Sequence, residues 1–80
     1  MKPKFAEPTK IFNNKKYKAI FFGTQNQADL QMYRIKKEGG YEIEWTYGTV
    51  FVPSYNGMTK KEKLIEVKRW VVYIRKVKQK

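Results

Sequence analysis

Lys61, Lys68, Arg69, Arg75 and Lys76 lie within the last 20 residues, at spacings that a helix would bring onto one face. A cationic helix face of that kind can hold the phosphate backbone of a nucleic acid by displacing condensed counterions. Ile65 and Val72 fall in the middle of the same arc on a helical wheel. An aliphatic pair inside a basic rim is a candidate contact for a partner. A second basic group, Lys15 and Lys16, follows Asn13-Asn14, a pair that favours a tight turn. Such a tip can project from a sheet toward phosphates. Lys2, Lys4, Lys10 and Lys18 add to the basic N-terminal stretch.

Other chemistry has little material. The chain contains no cysteine and no histidine. Disulfides, thiolate nucleophiles and imidazole acid–base catalysis are therefore excluded. Ser54 is the only serine and lacks a histidine to activate it. Glu42 and Glu44 sit two residues apart on one strand face, and only Asp29 and Glu38 could join them. We read them as solvent-facing partners for lysines. No catalytic residue, metal site or cofactor is expected. A phosphate could rest where Gly57-Met58-Thr59-Lys60 opens the C-terminal helix, as binding without chemistry.

The charge balance supports a polyanionic target. Eighteen basic and seven acidic side chains give a net charge of +11 in 80 residues. Residues 1–18 carry six Lys and one Glu, residues 19–58 three basic and four acidic groups, and residues 59–80 nine basic and two acidic groups. The ends are basic and the middle is nearly neutral. AT-rich codons could supply part of this lysine, because Lys, Asn, Ile, Phe, Tyr and Met make up 39 of the 80 residues. Low Asp plus Glu argues that the imbalance also serves a partner.

The elements that must position these groups fit one small domain. Residues 1–9 read as a flexible basic arm, 10–53 as the sheet and 59–77 as a helix. Lys10-Ile11-Phe12 and Tyr17 to Phe22 suggest strands. Gly23 to Asp29 is polar and reads as a loop, and Leu30 to Lys36 as a further strand. Lys37-Glu38-Gly39-Gly40 is a turn signal. Tyr41 to Tyr47 alternates cleanly, with Tyr41, Ile43, Trp45 and Tyr47 on one face and Glu42, Glu44 and Thr46 on the other. Thr49 to Val52 continues as a strand until Pro53. Thr59 and Glu62 match a capping box. From about Lys60 to Lys76 the apolar residues Leu64, Val67, Trp70, Val71, Ile74 and Val77 share one arc of about 140°. A competing reading makes Trp70 to Val77 a final strand.

The expected fold is thus α+β: a small antiparallel sheet of three to five strands packed by one C-terminal helix. Its expected core comprises Phe12, Ala19, Phe21, Met32, Ile43, Trp45, Val50, Val52, Leu64, Val67, Trp70, Val71 and Ile74. Tyr33, Tyr41, Trp45, Tyr47 and Phe51 could instead form a stacking platform for single-stranded bases, but a core role is the stronger expectation. The expected function is non-enzymatic nucleic-acid binding, DNA ahead of RNA, as in an accessory protein of a phage or mobile element. Lysine outnumbers arginine 15 to 3, which favours backbone contact over base readout. The alternative is an interaction module that docks on an acidic protein partner through Ile65 and Val72. A homodimer is compatible with either. An anionic membrane surface is a third, weaker target. No secretory signal or long apolar run is visible, which points to the cytoplasm.

Overall fold

The computed structural model describes residues 2–58 and 61–77. Its order is β1 (Lys4–Phe5), β2 (Thr9–Phe12), β3 (Lys15–Gly23), α1 (Gln25–Glu38), β4 (Tyr41–Asn56) and β5 (Lys61–Lys76). The five strands form one antiparallel sheet in the order β1-β4-β5-β3-β2. The α+β class holds, but the helix lies mid-chain and the C-terminal segment is a strand.

Two turn signals act as their residues dictate. Asn13 and Asn14 take φ of 52° and 65° and join β2 to β3. Gly39 and Gly40 take φ of 77° and 84° and join α1 to β4. Asparagine and glycine are the residues that enter this region at least cost.

The expected strand at 30–36 belongs to α1. Thr24 is its N-cap, and Thr24 with Gln27 forms a reciprocal capping box. Ala28, Met32 and Ile35 then recur at helical spacing and pack on the sheet. Lys36 and Lys37 fall in the last turn, where the helix dipole favours cations.

The expected C-terminal helix is instead β5, the central strand, paired along its full length with β4 and over part of it with β3. Both faces of its second half are covered. Val72, Trp70 and Ile74 pack under α1, while Val71 and Tyr73 point to the opposite, inner side. Val71, Val72 and Tyr73 are consecutive and all buried. A strand covered on both sides loses its polar alternation, so its apolar residues also fit a helical arc. The capping-box residue Thr59 lies outside the described residues.

The inner side closes on itself. Residues 4–12 pair at one end with β4 and at the other with β3, the two opposite flanks of the sheet. Between them Ala6 N–H donates to the Thr49 carbonyl, and Ala19 N–H to the Pro8 carbonyl. Lys4 and Phe5, expected in a flexible arm, are thus part of the sheet. Phe5 and Phe22 meet edge to face at 5.8 Å. In a flat sheet three strand spacings, about 14 Å, would separate their strands. The sheet is therefore strongly curled, nearly a barrel, around Tyr17, Ala19, Val50, Val71 and Tyr73. Phe12 packs on both Tyr17 and Tyr73, and Tyr73 Oη donates to the Glu7 carbonyl at 2.9 Å.

A register shift between Ala19 and Phe21 reverses the alternation of β3, so that Phe22, not Phe21, follows Tyr17 and Ala19 to the inner side. Phe21 joins the helix-side cluster and Phe22 the inner one. Neighbouring residues of a regular strand already point to opposite faces, so both phenylalanines are partly covered. Pro53 does not end β4, which runs on to Asn56. Among the described residues, β4 beyond Phe51 and β5 before Trp70 pair only with each other. This ribbon accounts for the long axis of 56 Å, since a 16-residue strand spans about 53 Å.

Candidate nucleic-acid interface

Because residues 61–76 are a strand, the basic helix face does not exist. Alternation sends Lys61, Arg69 and Arg75 to one side of β5 and Lys68 and Lys76 to the other. Ile65 and Val72, seven positions apart, also face opposite ways. Val72 is fully buried (0% exposed) under α1, while Ile65 stays 37% exposed near the ribbon. Val72 therefore belongs to the core and cannot meet a partner. The pair forms no patch.

Two of the expected phosphate contacts are engaged within the protein. Glu42 lies directly across from Arg75 on the inner side of the sheet. It accepts from Tyr17 Oη at 2.7 Å and pairs with Lys15 at 3.4 Å and Arg75 at 3.3 Å. The Tyr17 hydrogen bond, assisted by Lys15 and Arg75, holds the Glu42 carboxyl below its ordinary value of 4.5. The same bond raises the Tyr17 phenol above 10.0.

Folding stabilised through Glu42 is complete above about pH 4.5 and is lost as pH falls through its lower native value. That through Tyr17 is complete below pH 10 and is lost as pH rises through its higher native value. Glu42→Gln should lower the urea midpoint at neutral pH and change it little well below pH 4.5, which flattens the acid limb of a stability–pH profile measured by urea melts.

The cations that remain available border a different surface. Tyr41, Ile43, Trp45 and Tyr47 line the helix side of β4, as the alternation predicts. Trp45, expected in the core, is 53% exposed, and Tyr47 is 57% exposed. The helix covers β3 and β5 more fully than β4, so the outer aromatic residues stay uncovered. A groove of about 400 Å³ runs between α1 and β4, lined by Asp29, Met32, Tyr33 and Lys36 opposite Tyr41, Ile43 and Trp45. Tyr33 is 64% exposed.

Farther along β4, Tyr47 packs edge to face on Trp70 at 5.3 Å. It also borders a shallow cleft with Thr24, Gln25, Lys68 and Arg69. Lys68 Nζ donates to Thr49 Oγ1, and Arg69 Nη1 to the Lys68 carbonyl at 2.7 Å. Both residues line this cleft, Lys68 from the face that carries Tyr47 and Arg69 from the opposite face of β5. Lys76 sits directly across from Tyr41 at the other end. Glu42 and Glu44 point to the inner side, away from the aromatic row.

Lys16 stands exposed at the start of β3 and Lys61 at the far end of the ribbon. The expected seven cations are thus dispersed. Only Lys68, Arg69 and Lys76 lie along the aromatic row, and Lys36 was missed. The signal for Lys36 was its i, i+3 spacing from Tyr33 on a segment read as strand. Among the described residues no group of three His, Cys, Asp or Glu side chains is placed to hold a metal ion. No helix of the described residues is long and apolar enough to cross a membrane. No protein-family model, curated protein or solved structure matches this chain.

Proposed function

We propose that this protein binds nucleic acid, holding phosphates through Lys36, Lys68, Arg69 and Lys76 and carrying out no chemistry of its own. The observation that carries this reading is charge left without an acidic partner. Among the described residues ion pairs engage Lys10, Lys15 and Arg75, while those four cations have none: Lys36, Lys68 and Lys76 flank the helix side of the sheet, and Arg69, on the other face of β5, lines the rim of the Tyr47 cleft. A net charge of +11 concentrated on a 9.6 kDa chain also draws polyanions from a distance. Cytoplasmic DNA or RNA is the target class, DNA ahead of RNA.

Fluorescence polarisation with labelled DNA and RNA over a salt series tests the reading. Binding at physiological salt should weaken as salt rises, with log K falling by about 0.7 to 0.9 per phosphate held for each unit of log salt. Four cations predict a slope of roughly −3. A flat salt response, or binding confined to the lowest salt, would remove nucleic acid as the ligand.

A further inference from the structure

We infer that the helix side of β4 is a binding site for single-stranded nucleic acid, with bases stacked on Trp45, Tyr47 and Tyr41 and the backbone held by the flanking cations. This inference rests on the nucleic-acid reading and adds the class of strand and the mode of contact.

The argument begins with cost. Large rings are the main apolar resource of so small a domain, and burial would be their default use. Yet Trp45 and Tyr47 are more than half exposed, although they share a sheet face with the buried Val72. An exposed apolar row of this kind, three rings and Ile43, marks a contact site.

The geometry selects the ligand. Successive residues on one face of a strand stand about 6.8 Å apart, roughly twice the 3.4 Å per nucleotide of a stacked duplex strand. Trp45 and Tyr47 stand at that repeat, and Tyr41 stands beyond Ile43 at twice it, which suits bases pulled apart from their neighbours, and a stacked duplex hides its base faces. From Tyr41 to Tyr47 the row spans about 20 Å, enough for about four nucleotides, the low end of known single-strand sites.

Charge fits the same occupant. Lys36 and Lys76 stand at the Tyr41 end of the row, and Lys68 and Arg69 at the Tyr47 end. Asp29 is the one acidic residue lining the groove. A backbone following β4 would have cations at both ends and π-faces between them. An acidic protein surface would match the charges but leave the ring faces without planar partners.

The test uses the whole protein, a labelled oligothymidylate and a duplex of matched length. The single strand should bind about tenfold tighter than the duplex and quench tryptophan emission. Trp45→Ala should weaken single-strand binding about tenfold or more, and Trp45→Phe should restore most of it by returning a ring. Tyr47→Ala, at the neighbouring exposed ring, is the second variant should Trp45→Ala melt early. Equal or tighter duplex binding, or single-strand affinity unchanged by both alanine variants, overturns stacking and leaves phosphate binding intact. Absence of binding to either probe at low salt overturns both readings.

Discussion

Val72→Asp should leave the protein unfolded at room temperature, whereas Ile65→Asp should leave it folded with a nearly unchanged thermal midpoint. Val72 has no exposed surface and contacts the helix-side cluster of Ala28 and Ile35. A carboxylate there has no cation within the cluster and must lose its hydration. An isolated buried charge costs several kcal/mol at the least. A domain of 80 residues has about 4–12 kcal/mol to lose. Ile65 keeps more than a third of its surface in water, so a carboxylate at that position remains hydrated, and the change should cost about 1 kcal/mol or less. Circular dichroism melts of the two variants provide the comparison. Equal destabilisation would mean that Ile65 is as fully buried as Val72.

The second large effect concerns binding. Lys68→Glu with Arg69→Glu replaces two adjacent cations beside Tyr47 by anions. Two phosphate contacts are lost, and the slope of log K against log salt should become shallower by about 1.4 to 1.8. Affinity near physiological salt should fall at least tenfold, since repulsion adds to the lost contacts. Both side chains are exposed, so the melting midpoint should move little. The same reversal at Lys16 and Lys61, which lie away from the aromatic row, should alter affinity only through net charge. If the two pairs behave alike, the binding surface is diffuse and the Tyr47 end has no special role.

Legibility in the sequence followed physical simplicity. β4 was readable from Tyr41 to Tyr47 because one face is solvated at its edge and alternation survives. The turns at 13–14 and 39–40 were readable because asparagine and glycine carry their own backbone preference. β5 was not, because curling and the helix cover both its faces and leave Val71, Val72 and Tyr73 apolar in succession. The helix was obscured by its polarity: from Gln25 to Glu38 only Ala28 and Ile35 are buried. Its two signals were present, however, in the Thr24–Gln27 capping box and the 28, 32, 35 spacing. For the candidate site, the cations were visible by type but their grouping depended on β5. The aromatic platform was visible as a possibility, and the need for a core argued against it. Tyr17 and Tyr73 fill the inner side instead, which releases Trp45 and Tyr47 to the surface.

The bent segment 4–12 sets the order in which the protein can assemble. Phe5 pairs with Val50, and Glu7 receives its hydrogen bond from Tyr73, 66 residues away in the chain. Contacts of such sequence separation carry a large loop-closure entropy and form late. The β4–β5 hairpin and the β3–α1 unit have nearer partners and can organise first. During synthesis residues 4–12 emerge before β4 and β5, so Phe5 and Glu7 find their places late. Phe5 must wait for β4, and Phe12, which can meet Tyr17 early, completes its packing only when Tyr73 has emerged. The charge on Lys2, Lys4 and Lys10 lies beside these rings and keeps the waiting segment soluble.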